Sequence, residues 1–128
     1  MKTRLLVAFS ILVIVALALS ACGGGAASAP QPKSKGDAVK GKTVFAGTCS
    51  ACHGPEGKGI PSLGKDFTTS TFVKGMNDDQ FLAFLKTGRP SSDPLNTTKV
   101  DMPPKGGNPA LAEQDLYDVI AFIRTLVK

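Results

Sequence analysis

Two cysteines and the chain's single histidine fall within five residues, Cys49-Ser50-Ala51-Cys52-His53, and nothing else in the sequence restricts the possible folds so severely. Three residues apart on a helix, the two thiols leave on nearly the same side, with His53 directly behind them. Three chemistries use such a spacing. A structural zinc site needs four ligands, and beyond these three residues the domain offers only carboxylates. A redox disulfide of the thioredoxin kind belongs in a βαβ pattern, which this sequence lacks. The third is covalent attachment of a c-type haem, for which C-x-x-C-H is the signature. Each thiol then forms a thioether with one porphyrin vinyl group, and His53 faces the iron.

Composition points to the same missing component. Of the first 21 residues 16 are apolar, whereas only about 36% of the 107 that follow are. That is thin for a self-sufficient core. Trp is absent, Tyr occurs once, and Gly and Pro number 14 and 9, which excludes a large enzyme with a deep pocket built wholly from protein. From Asp37 onward 11 basic residues face 10 acidic ones. A nucleic-acid binder needs a dense basic face to displace phosphate counterions, so nucleic acid is excluded as a partner.

The apolar leader reads as an address. Met1 to Arg4 is basic, and Leu5 to Leu19 is an almost unbroken apolar run, short of the ~20 residues that span a bilayer. Leu19-Ser20-Ala21-Cys22 resembles the bacterial lipobox, which predicts a lipoprotein signal peptide over 1–21 and lipidation of Cys22. Gly23 to Gly36 has no aliphatic side chain larger than Ala, so 22–36 is predicted to be a flexible tether reaching ~20 Å. The domain, 37–128, is then exported and lipid-anchored to the outer face of the cell membrane or facing the periplasm.

Within 37–128 the periodicity predicts an all-α fold of three main helices. Asp37 caps a first helix over Ala38 to Ala51. Asn77 with Gln80, followed by Asp78 and Asp79, starts a second helix that Gly88 and Pro90 stop. The third, Glu113 to Val127, carries Leu116, Val119, Ile120, Ile123 and Val127 on one face. Its start lacks a hydroxyl at Ala112, unless Asn108 with Pro109 begins it earlier. Residues 54–74 and 89–109 read as long loops, with a weak strand signal at Thr68 to Val73. Loops of that length inside a small domain are expected only where they are functional. Wrapped around one covalently attached haem, they become its walls.

The iron needs a sixth ligand, and past the leader only Met76 and Met102 can supply a thioether. Met102 is favoured because Val100-Asp101-Met102-Pro103-Pro104 is a prolyl-buttressed loop that presents a side chain without helix or sheet hydrogen bonds. Met76 precedes the cap of a helix. With both axial positions closed, the centre suits electron transfer better than ligand activation. A haem protein with an open or labile sixth position, catalytic or gas-binding, is the alternative, and a redox-inert haem module of a larger assembly is a third.

Residues 37–128 resemble the small single-haem bacterial cytochromes c of class I, with His/Met ligation. Gly41 and Phe45 resemble that family's first helix, and Val119-Ile120-Ala121-Phe122-Ile123 the stretch of its terminal helix that crosses it, with Phe122 the aromatic partner. Pro61-Ser62-Leu63 is similar to the family's loop in which a Pro carbonyl accepts the histidine Nδ1–H and a Leu packs on the haem. The resemblance implies the cytochrome c fold, one haem c on Cys49 and Cys52, iron held by His53 and Met102, and Pro61 and Leu63 in the pocket. The expected function is a membrane-tethered carrier passing single electrons from a donor complex to a terminal oxidase or reductase. Lys58, Lys65, Lys99 and Lys105 flank the ligand loops and are candidates for steering an acidic partner.

Overall fold

The computed structural model describes residues 35–128; the leader over 1–21, Cys22 and residues 23–34 of the tether lie outside the described residues. Asp37 caps helix α1, Ala38–Thr48, its Oδ1 accepting from Val39 N at 2.8 Å and Lys40 N at 3.3 Å. The helix does not continue unbroken to Ala51. Ser50 Oγ donates back to Ala46 O at 2.6 Å, a hydroxyl bond that bends a helix, and a one-turn α2, Ser50–His53, follows beyond Cys49. That bend sets Cys49, Cys52 and His53 on a turn of their own.

Residues 54–70 wrap as loop, but α3, Thr71–Gly75, is helical where the Thr-rich run reads as loop or strand. Ser70 Oγ accepts from Val73 N at 3.2 Å, and this cap, with Val73 buried, outweighs the β-branched preference for strand. Helix α4, Asp78–Thr87, starts on the expected capping box: Asn77 Oδ1 accepts from Gln80 N at 2.8 Å and Gln80 Oε1 from Asn77 N at 2.9 Å. Helix α5 is Glu113–Leu126. Asp115 Oδ2 accepts from Ala112 N at 2.8 Å, so one half of a capping box forms without the hydroxyl. Asn108 holds only a turn, through Ala110 N at 3.1 Å. Among the described residues the five α-helices and a short 3-10 helix, Pro104–Gly107, are joined by loops and two isolated bridges, with no strand.

The all-α expectation with α1, α4 and α5 as main helices therefore holds. Its centre is the crossing of α1 and α5. A Cβ on Gly41 would stand 1.8 Å from Asp118 O, so only glycine lets the two backbones meet. Phe45 and Phe122 pack there with centroids 5.2 Å apart, beside the fully buried Ile120. Asp118, itself buried, accepts from Asp37 N at 2.8 Å and Gln114 Nε2 at 2.9 Å, which satisfies the carboxylate and ties the start of α1 to α5. Arg124 closes the other side, donating to Asp78 Oδ1 at 3.1 Å and to the carbonyls of Val73 and Met76 at 2.6 Å each.

The folded body begins before Asp37. Lys35, read as tether, pairs with Asp79 at 2.7 Å, and its carbonyl accepts from Gln114 Nε2 at 3.3 Å. The tether's last residues thus lie along α5, a contact with partners more than forty residues away that local composition does not carry.

Candidate functional site

Cys49, Cys52 and His53 line a cavity of about 560 Å³, and Met102 lines the same cavity although it lies in a different loop. Met76 is not in that lining. It packs against the core cluster, its carbonyl held by Arg124. Of the two candidate methionines, the structure brings only Met102 to the Cys-His turn.

His53 is oriented from two sides. Its Nδ1 lies 2.9 Å from Lys65 O, and since a carbonyl only accepts, Nδ1 carries the proton and Nε2 keeps its lone pair. Its ring stacks on Phe67, with centroids 4.3 Å apart and planes 24° from parallel. Burial holds the imidazole below its usual range, against the opposing pull of the Lys65 carbonyl, so the neutral, ligating form is favoured. The acceptor is therefore not Pro61, as the resemblance implies. Pro61 is exposed and outside the cavity lining, because the bridge between Ile60 and Gly64 turns the chain and delivers Lys65 to the ring instead. Leu63 does line the cavity.

Burial, with Cys52 beside it, pushes the Cys49 thiol up to about 11. A redox or nucleophilic cysteine needs the opposite, a depressed value, which Cys49 does not have.

The Met102 loop is clamped rather than merely buttressed by proline. Met102 and Arg89 exchange both backbone bonds at 2.8 Å, and Asn96, buried, donates through Nδ2 to Val100 O at 2.8 Å and Pro90 O at 3.1 Å. Its Oδ1 accepts from Lys99 N at 3.0 Å, and Ser91 N donates to Asp101 Oδ1. Asn96 and Arg89 escaped sequence reasoning; the only signal for either is a polar side chain in a loop that must nonetheless be rigid. Gly88, with φ of +71°, precedes the bridge, and a Cβ there would stand 2.2 Å from Met102 O. Gly88→Ala is expected to lower stability by about 1–3 kcal/mol through strain and displacement of the bridge. Thermal denaturation of the holoprotein checks this, and an unchanged melting temperature would contradict it.

Two of the four lysines near the ligand loops have partners within the protein. Lys58 pairs with Glu56 at 2.6 Å, and Lys105 Nζ donates to the carbonyls of Pro109 at 3.1 Å and Leu111 at 2.7 Å. Lys65 and Lys99 stay exposed.

The residues present fit a haem. The cavity falls in the usual ~300–1,000 Å³ range for cofactor sites and is walled by Phe67, Val73, Phe81, Leu85, Val119 and Ile123. Two thiols, an imidazole with a free lone pair and a thioether meet in it, the donor set of a covalent, six-coordinate centre. Such a site in a helical shell defines a class: small α-helical proteins with covalently held haem. The family described as cytochrome c matches residues 38–127, and the chain belongs to that family.

Among relatives, cytochrome c-555 of Chlorobaculum thiosulfatiphilum is 31% identical over 88 residues, covering 68% of this chain and 93% of that protein. Cytochrome c-555 of Prosthecochloris aestuarii is 28% identical over 87 residues, covering 68% and 85%. The Cbb3-type cytochrome c oxidase subunit CcoP of Rhodobacter capsulatus is 27% identical over 97 residues. That match takes 75% of this chain but spans only 31% of the subunit. No solved structure matches. Membership of the cytochrome c family implies covalently bound haem c.

Proposed function

We propose that this protein carries single electrons on one haem c, attached through Cys49 and Cys52 and ligated by His53 and Met102, while tethered to a membrane through lipid on Cys22. The observation that carries the ligand assignment is the shared cavity, which includes Met102 and leaves out Met76. The haem supplies a one-electron couple, and thioether ligation favours its ferrous state. Lys65 O and Phe67 hold His53 in the ligating tautomer, the Arg89 bridge and Asn96 hold Met102 in place, and the apolar walls exclude water. Little has to move when the charge changes, which is what rapid electron exchange requires.

The sequence of the leader supports export and a lipid anchor at the outer face of the membrane or in the periplasm, where confinement raises the effective concentration at membrane complexes. In this reading the acceptor is a terminal oxidase or reductase and the donor a respiratory or photosynthetic complex; likeness to an oxidase subunit supports the oxidase.

The ligand assignment is tested by the weak long-wavelength band that sulfur-to-iron ligation gives in the ferric protein. The band is expected in wild type and Met76→Leu and absent in Met102→Leu. Its survival in Met102→Leu, or a high-spin wild type that binds carbon monoxide rapidly, would favour an open or differently closed site.

A further inference from the structure

Helix α1 has a second face that the haem reading does not use. Gly41 and Phe45 are buried in the crossing with α5, while on the opposite side Val39, Thr43, Ala46 and Gly47 are all exposed. Val39, at 80%, is the most exposed large apolar side chain among the described residues. At about 3.6 residues per turn, Lys40 and Lys42 flank this stripe, one on either side, and both are exposed.

The charge on this face is unopposed. Among the described residues neither lysine's ammonium enters an ion pair or a hydrogen bond, unlike Lys35, Lys58 and Lys86. Helix α1 contains no acidic residue, and Asp37, the only one before Glu56, has its Oδ1 occupied by the N–H groups of Val39 and Lys40. An apolar line edged by lysines on an exposed helix is the pattern that lies in the plane of an anionic lipid surface. The small side chains let the helix come close, and the long lysine stems carry their amines out to the headgroup phosphates.

We infer that the outward face of α1 rests on an anionic lipid surface, with Val39 entering the headgroup layer and Lys40 and Lys42 meeting phosphates on either side of it. The inference deepens the tethered-carrier reading and takes its membrane from it. The chain from Cys22 leads directly into α1, through a segment of a length that spans about 20 Å as a coil, so α1 is the first helix after the proposed anchor. That segment is not itself the occupant of the face. Residues 23–34 are Gly, Ala, Ser, Pro and Gln with one further positive charge, Lys33, and bring neither apolar bulk nor opposite charge. Nor is the occupant an electron-exchange partner: of α1 only Thr48 lines the cofactor cavity, so a protein seated over Val39 would not be at the cofactor's side.

The mature holoprotein on vesicles tests this. Vesicles of phosphatidylcholine are compared with an equal mixture of phosphatidylcholine and phosphatidylglycerol, and acylation of each lysine is read by mass spectrometry. A lysine at an anionic surface favours the docked arrangement roughly fivefold, so Lys40 and Lys42 are expected to react at least about fivefold more slowly on the anionic vesicles. Lys99, exposed on the Met102 loop, is expected to react at similar rates on both. In 1 M salt, where the Debye length is about 3 Å, the protection is expected to vanish. Val39→Asp places an acid in the first turn, which suits the helix dipole, so this variant is expected to melt no lower than wild type yet to lose most of the protection. Equal rates on the two kinds of vesicle, or protection of Lys99 as strong as that of Lys40 and Lys42, would overturn the inference. So would protection by soluble polyglutamate without protection by anionic vesicles, which would point to an acidic protein instead. Lipid on Cys22 is read separately, from the intact mass of the mature chain: a chain without it sinks the anchor, while the vesicle comparison, run with lipid in excess, still decides the face.

Discussion

Made without haem, the Cys49→Ala, Cys52→Ala protein is expected to show little of the helical circular dichroism of the holoprotein. The reason is the size of the cavity left behind. At ~24 cal/mol per Å³, about 560 Å³ of unfilled space costs roughly 13 kcal/mol as an upper bound, the mouth being open to water. A domain of this size has about 5–15 kcal/mol of stability in total. The residues that would lose their packing include Phe81, Leu85, Val119 and Ile123, which are also the buried faces of α4 and α5. Losing the cofactor therefore removes the partner of both helices, while the crossing of α1 and α5 is too small a nucleus to survive alone. Native-like ellipticity with a cooperative melt in the double variant would mean that the chain supplies its own core.

Gly41→Ala in the holoprotein is expected to cost 3 kcal/mol or more, about the top of the usual range for overpacking. The added methyl would lie 1.8 Å from Asp118 O, which is backbone and cannot rotate away. Separating α1 from α5 enough to admit it would also disturb the Phe45–Phe122 contact and the bond from Asp37 N to Asp118. In the middle of an exposed helix the same exchange is stabilising by about 1 kcal/mol, so the sign itself is diagnostic. Gly47, also in α1 but with nothing near a would-be Cβ, is the control: Gly47→Ala is expected to leave the melting temperature unchanged or raise it. Denaturant unfolding of both variants reads the difference.

What was legible in the sequence was chemistry set by short spacing. Cys49-Ser50-Ala51-Cys52-His53 fixed the attachment turn, Asn77 with Gln80 fixed the start of α4, and Gly41 with Phe45 and Phe122 located the helix crossing. Contacts that depend on the path of a loop were not legible. Pro61 and Lys65 are four residues apart, and which carbonyl reaches His53 depends on how the chain turns between Ile60 and Gly64. Helix α3 was hidden because a single hydroxyl cap at Ser70 overrides the strand preference of its neighbours. Arg89 and Asn96 act across as many as thirteen residues of irregular chain, where no periodicity marks a partner. Lys35 and Gly36 have the composition of a tether, and contacts with α4 and α5, some forty to eighty residues away, make them part of the domain.

The central claim is that one haem is fastened to the two thiols beside His53. The intact mass of the purified protein, taken after denaturation and extraction with acid, tests it most directly. The account expects wild type to exceed Cys49→Ala, Cys52→Ala, matured in the same host, by the mass of one haem once the substitutions are allowed for. A wild-type chain, matured in a host able to attach such groups, that showed no such excess would contradict it.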